Sequence, residues 1–262
     1  MENSSTAESP GEIIDGGGEH HHYIRIDEST ADDIYALIKD FWVSRKHQSA
    51  EKIKEIIHVY RKSNFHDNME PVWKMLAEIH GGYTPDRAFS MIDFGGANGS
   101  VFYVLKDILP DVSVRYLLVD PYKPFVEDFL QSFPDQQAID ADAEQFIELG
   151  DDAFGNRPYS MFFSSHVLYL IKPSIVRNIL KRASRLTDEF VLVDNIKNFH
   201  GELDKENPVI FDYYPEGGQV YFSHYFEGYL NDIGFELVSM TPTLPRTAEM
   251  KMGFGVFHAR RR

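Results

Sequence analysis

Two periods organise the apolar residues of this chain. Between residues 29 and 82 they recur at i, i+3, i+4 and i+7, the spacing of one helix face. Ile34, Leu37, Ile38 and Phe41 predict a first helix behind a Ser29/Thr30 cap. Ile53, Ile56, Ile57 and Tyr60 predict a second behind Ser49. Val72, Met75, Leu76 and Ile79 predict a third that follows Asn68 and closes at Gly81-Gly82. Each carries one apolar stripe and must dock on something, either to complete a core or to cap a site.

From Ala88 the pattern becomes short apolar runs that alternate with helical stretches. Runs at 89–94, 114–119, 160–164 and 190–193 suit buried strands, with a shorter run at 137–140. Helical patterns fill 101–109, 123–133, 143–149 and 173–186. Strand–helix alternation of this kind predicts a doubly wound, mostly parallel α/β sheet covered on both faces. Runs at 235–241 and 254–259 predict a C-terminal antiparallel hairpin at one edge, making a seven-stranded sheet in all. The intervening aromatic connection is expected to include a helix over 220–233. The resulting division is a tail (1–22), an N-terminal helical cap (23–85) and a catalytic α/β domain (86–262).

Composition narrows the function. The 262 residues are 43% apolar and 14% aromatic, enough for a sizeable core. A net charge of −15 opposes a phosphate-binding role, so no nucleic-acid partner is expected. With no cysteine, disulfides, thiolate zinc sites and thiol nucleophiles are excluded. No apolar run reaches the length of a spanning helix and no signal-peptide pattern is visible, so a cytoplasmic protein without a membrane partner is expected. Residues 1–22 hold five acids, no Lys or Arg and few large apolar groups, which predicts a disordered tail. His20, His21 and His22 within it read as solvated residues, and no metal site is expected.

The chemistry lies in Met91-Ile92-Asp93-Phe94-Gly95-Gly96-Ala97-Asn98-Gly99-Ser100, which leaves a strand and opens a helix. Glycines there let the backbone turn and approach a ligand, and a helix N-terminus offers free N–H groups. The next strand ends in Asp120, placed to accept from both hydroxyls of a ribose. Ala141-Asp142-Ala143-Glu144 resembles a site where an Asp side chain and the next N–H hold an adenine edge. A dinucleotide fingerprint is absent, since positions 97 and 100 are Ala and Ser. Ala97 is compatible with the loop if it keeps a negative φ.

This constellation resembles the class I S-adenosylmethionine-dependent methyltransferases over residues 88–262. The resemblance implies a Rossmann-like catalytic domain and S-adenosylmethionine as cofactor, with S-adenosylhomocysteine as product. Its cofactor residues would be Asp93, Gly95, Gly96, Ala97, Asn98, Gly99, Asp120, Pro121, Asp142, Ala143 and Ser164. The Val167–Lys172 segment is similar to the corresponding stretch of small-molecule methyltransferases, histamine N-methyltransferase among them. The implied reaction moves a methyl group to an O or N atom of a small, aromatic or amine-containing molecule. Transfer to carbon or to a peptide or protein, and a non-catalytic methyltransferase-fold partner subunit, remain alternatives; a monomer or homodimer is expected.

Among the residues themselves, His166 and His224 are candidate bases, because a hydroxyl acceptor benefits from a base near neutral pKa. His258 reads as structural. Tyr169, Tyr214, Tyr221 and Tyr225 are candidate acceptor-binding rings. Asp194 and Asn195 are possible orienting groups, and the metal-assisted route lacks a carboxylate cluster around Asp194.

Overall fold

In the computed structural model, alternate residues of each central strand face opposite layers, and this alternation places the site. The structure describes residues 12–16, 22–44, 52, 55, 70–81, 89–109, 113–155, 157–195, 209–214, 219–242 and 254–262. The expected helix around Ile53–Tyr60 falls almost wholly outside them.

The central elements, in chain order, are β3 (Ser90–Phe94), α3 (Ser100–Ile108), β4 (Arg115–Asp120), α4 (Lys123–Ser132), β5 (Gln137–Asp140) and α5 (Ala143–Glu148). After these come β6 (Tyr159–Ser165), α6 (Pro173–Ala183), β7 (Thr187–Asn195), α7 (Phe226–Asp232), β10 (Phe235–Pro242) and β11 (Phe254–Arg261). The seven-stranded sheet runs β10-β11-β7-β6-β3-β4-β5. Its β7-β6-β3-β4-β5 portion is parallel, and β11 is antiparallel to both β7 and β10. The sheet therefore has the doubly wound form with the antiparallel C-terminal pair expected above. The chain winds outward from β3 through β4 to β5, then returns to start β6 on β3's other side. Ligand crevices form at such a switch point, beyond the carboxyl ends of the strands.

One buried layer joins Ile92, Phe94, Leu117, Val119, Phe162 and Phe190 to residues of α1 (Glu28–Lys39), α5, α6 and α7. The other joins Met91, Tyr116, Leu118, Met161 and Phe163 to α2 (Glu70–Gly81) and α3. The two N-terminal helices thus serve opposite faces. Val72, Met75, Leu76 and Ile79 of α2 are buried as their spacing predicts. This packing completes a core, whereas α1 lies beside the crevice.

The structure corrects four local expectations. First, α1 is capped by Asp27, whose Oδ1 accepts from Thr30 N–H at 2.7 Å, and not by Ser29 or Thr30. Second, its inward face is Ala31 and Tyr35 with Ile34 and Ile38, while Leu37 is 74% and Phe41 48% exposed. Third, residues 12–16 are a strand rather than tail, and residues 22–25, where tail meets helical cap in the expected division, are a strand as well. β1 (Glu12–Gly16) and β2 (His22–Arg25) pair antiparallel, and β2 pairs with β8 (Val209–Tyr214), which pairs with β9 (Gln219–Ser223). Composition argues that the N-terminal stretch cannot bury enough surface alone. The β-branched and aromatic run Val209-Ile210-Phe211 supplies a distant partner instead. Fourth, the same pairing makes 219–223 a strand, so the expected helix over 220–233 is confined to α7. No described helix is long and apolar enough to cross a membrane.

Candidate active site

The loop after β3 is set by backbone geometry. Gly95 and Gly99 adopt φ +74° and +75°, a left-handed conformation that disfavours side chains. A Cβ on Gly99 would lie 2.3 Å from the Phe129 ring, so that glycine also permits close packing of α4. Gly95 N–H donates to Val119 O at 2.7 Å, and Gly99 N–H donates to Gly96 O at 2.9 Å. These two bonds tie the loop to β4 and close its turn.

Ala97 has φ +51°, against the expectation of a negative φ. A left-handed alanine costs about 1–2 kcal/mol. The conformation aims its N–H at Asp120 Oδ2, 2.9 Å away, while Oδ1 accepts from Tyr122 N–H at 2.9 Å. A charge-assisted bond offsets the strain. Asp120, only 6% exposed, therefore organises the loop as well as facing the crevice.

A cleft of about 340 Å³ opens there, lined by Asp93, Gly95, Gly96, Ala97, Asp120 and Pro121 on the loop side. Trp42, Ser165, His166, Val167, Tyr169 and Leu170 line the rest of it. A second lobe is lined by Phe94, Val119, Ala141, Asp142, Ala143 and Ile171, with Tyr35, Lys39 and Trp42 from the N-terminal segment. Trp42, Gly95, Pro121, Val167 and Leu170 line both lobes.

Asp93 is buried, and burial pushes its carboxyl up to about 7 even though the Tyr116 hydroxyl donates to it; the Asp120 charge adds to the rise. Asp142 caps α5. Its Oδ1 accepts from Gln145 N–H at 2.9 Å and its Oδ2 pairs with Lys39 Nζ at 2.9 Å. Burial opposes its ionisation, but the Gln145 bond and Lys39 outweigh it and hold the carboxyl below its ordinary range. Lys39 also pairs with Glu144 at 3.0 Å, and Tyr35 OH donates to Glu144 at 3.1 Å. These contacts pin the end of α1 over the second lobe.

The structure thus brings most of the candidate cofactor residues to the walls of the two lobes. Asn98, Gly99 and Ser164 are the exceptions and sit behind the walls. Asn98 is buried, with Nδ2 3.4 Å from Asp128 Oδ2, and Ser164 Oγ donates to Phe94 O at 3.1 Å. Residues on α1 and beyond it were missed. Their only signal was the apolar stripe, which does not say which layer a helix joins.

The two candidate bases part company. His166 lines the cleft, with Nδ1 hydrogen-bonded to Ser165 Oγ at 2.8 Å and its ring 4.6 Å from that of Phe254. Its φ is +58°, anchored by its N–H donating to Val193 O at 3.0 Å. Burial lowers its pKa to about 4. His224 is fully buried behind the site and lines neither lobe. Its Nε2–H donates to Leu168 O at 2.7 Å, and burial lowers its pKa to about 4. It pins the end of β9 to the turn Leu168–Leu170. The structure places His224 away from both lobes with its ring fully buried, in contrast to the expectation that it faces the reacting groups. His258 donates to Glu189 at 2.8 Å, away from the cleft.

Of the candidate rings, Tyr169 lines the cleft and meets the Tyr221 ring edge-on at 4.7 Å. Tyr225 precedes α7 and packs against the core. Tyr214 ends β8, and its side chain, like that of Asn195, lies outside the described residues. Asp194 is buried near the end of β7. Among the described residues no cluster of three or more metal-ligating side chains occurs.

No protein-family model matches the chain, and no curated protein matches it. Solved structures do. A 1,6-didemethyltoxoflavin-N1-methyltransferase from Burkholderia thailandensis, bound to its substrate and S-adenosylhomocysteine, aligns over 97% of this chain and 99% of its own. Identity is 16% and the TM-score 0.59. Magnesium protoporphyrin IX methyltransferase from Synechocystis, with bound S-adenosylmethionine, aligns over 88% and 98%, at 14% identity and a TM-score of 0.53. A SAM-dependent methyltransferase from Leishmania major aligns over 87% and 83%, at 12% identity and 0.55. At such identities the likeness establishes the fold.

Proposed function

We propose, from the premise that the chain has the fold of the SAM-dependent methyltransferases, that it is an S-adenosylmethionine-dependent methyltransferase. Its acceptor would be an O or N atom of a small, aromatic or amine-containing molecule. The observation that carries the reading is the bridging of Asp120 to the glycine loop, which places a carboxylate and the loop in one cleft. The two neighbours with named substrates act on small ring compounds, which accords with this acceptor class.

The donor set fits a nucleoside sulfonium. Each Asp120 oxygen accepts a backbone N–H, and a carboxylate oxygen has the acceptor capacity to take a ribose hydroxyl as well. The second lobe, apolar at Val119, Ala141, Ala143 and Ile171 with Asp142 at a helix start, suits a flat heteroaromatic base. Asp93 offers a carboxyl to an ammonium, and a cation beside it favours its ionised form.

Bound there, the cofactor would supply an electrophilic methyl group, so the protein has mainly to align the acceptor and manage its proton. Trp42 and Tyr169 contribute aromatic rings to the cleft wall. His166 is neutral at pH 7 but weakly basic, since burial holds its pKa near 4. Such a group suits a nitrogen acceptor, which sheds its proton after transfer, better than a hydroxyl that must lose it first.

Calorimetric titration with S-adenosylhomocysteine tests the cofactor assignment, which fails if the wild type does not bind. Incubation with labelled donor and small-molecule, peptide and RNA fractions tests the acceptor class. Label confined to RNA or peptide contradicts the small-molecule reading.

A further inference from the structure

The acceptor side of the cleft has features that the donor assignment does not use. After α1 the backbone makes a π-helical turn, Asp40–Ser44, closed by Ser44 Oγ donating to Asp40 O at 2.5 Å. Such turns are rare and occur often at functional sites. This one carries Trp42, which lines both lobes yet is 38% exposed.

The position of Trp42 is set by the packing of α1 at both ends. Lys39, just before the turn, pairs with Asp142 at 2.9 Å and Glu144 at 3.0 Å. At the other end Glu28 accepts from Ser174 Oγ at 2.9 Å, and Lys172 pairs with Glu28 at 3.4 Å and with Asp32. Helix α1 is thereby tied to α5 and to the start of α6, on either side of the second lobe.

The first lobe also has a one-sided charge. Among the described residues its wall holds Asp93 and Asp120 but no Lys or Arg. His166 in the same wall is neutral at pH 7. The wall therefore offers no lysine or arginine to pair with a carboxylate or phosphate on the acceptor, whereas a neutral or cationic ring is tolerated.

We infer that Trp42 is the specificity-determining wall of the acceptor site, and that it selects a planar ring compound bearing no negative charge. The flat indole offers stacking area at small entropic cost, and a wall without lysine or arginine disfavours anions. The inference rests on the methyltransferase reading, since it takes the loop side of the cleft as occupied by the donor.

The test uses the full chain saturated with S-adenosylhomocysteine, titrated at pH 7.5 with quinoline and quinoline-2-carboxylate, probes that share one ring system and differ in charge. Quinoline is expected to bind at least tenfold more tightly than the carboxylate. Trp42→Ala should cost quinoline at least tenfold more affinity than it costs S-adenosylhomocysteine, and Trp42→Phe should restore most of that loss. Binding quenches tryptophan emission in the wild type, because the only other tryptophan, Trp73, is buried on the far layer of the sheet. Equal binding of the two probes, an unaltered quinoline affinity in Trp42→Ala, or no quinoline binding to the loaded protein overturns the inference. Failure of S-adenosylhomocysteine itself to bind brings down the methyltransferase reading instead, so the two failures are distinguishable.

Discussion

Replacing Asp120 by Ala removes one carboxylate with two tasks, and their magnitudes can be worked separately. The carboxylate accepts N–H groups from Ala97 and Tyr122, both at 2.9 Å, in a region only 6% exposed. Stranding a buried donor costs about 1–3 kcal/mol, so the two together cost about 2–6 kcal/mol. Ala97 can then relax from φ +51°, which returns about 1–2 kcal/mol. A net loss of about 1–4 kcal/mol follows, a fall in Tm on the order of 5–10 °C for a chain of this size.

The second task is reserved for ligand. Two hydroxyls donating to a carboxylate are worth about 1.5–3 kcal/mol each, so affinity for S-adenosylhomocysteine should fall by roughly two to four orders of magnitude. Asp120→Asn keeps one acceptor oxygen but turns an amide against an N–H, and should fall between wild type and Asp120→Ala on both scales. Thermal melts and calorimetry read the two effects independently. A folded Asp120→Ala protein that binds S-adenosylhomocysteine within threefold of wild type would refute the reasoning, whatever its Tm.

Four further outcomes are expected. Gly99→Ala imposes a side chain at φ +75° and 2.3 Å from Phe129, costing about 2–5 kcal/mol by urea unfolding, and Phe129→Leu should recover part of that. Asp93 has a folded pKa raised to about 7 from 3.8, so its contribution to stability is present below pH 4 and lost as pH climbs to about 7. Asp93→Asn should therefore flatten that part of the stability–pH curve, and an unchanged slope between pH 5 and 7.5 counts against it. His224→Phe removes the bond to Leu168 O; it should lower Tm and activity together without moving the pH–rate profile, and a shifted profile would return His224 to the chemistry. Lys39→Met breaks two partly exposed ion pairs and should weaken S-adenosylhomocysteine only about two- to fivefold, with Tm within a few degrees of wild type.

The loop and the central sheet were legible because their signals are local. Asp93 through Gly99 follows a buried run, Asp120 ends the next, and each position needs only its neighbours to be read. Boundaries of β3, β4, β6 and of α3 through α6 shifted by one to three residues. The place of His224 is not legible in the sequence for a physical reason: an aromatic, histidine-bearing segment looks the same whether it faces a ligand or fills the space beneath it. Its burial follows from the strand pairing of β8 with β9, which carries the segment beneath the Leu168 turn. Ala97 shows the complementary limit. Sequence marks it as the odd residue of the loop, but the φ it adopts depends on a carboxylate one strand away.

Sequence alone thus determined the alternation of strands and helices, the glycine loop with its acidic partners, and the absence of any thiol chemistry. Those features follow from periodicity and composition, which act within a few residues or over the whole chain. Tertiary structure decided which helix reaches the crevice, that residues 12–16 and 22–25 join a second sheet, and which histidine faces the cleft. Each of these depends on contacts between residues far apart in the chain, such as Lys39 with Asp142 or His22 with Asp212, whose pairing only the packed fold selects.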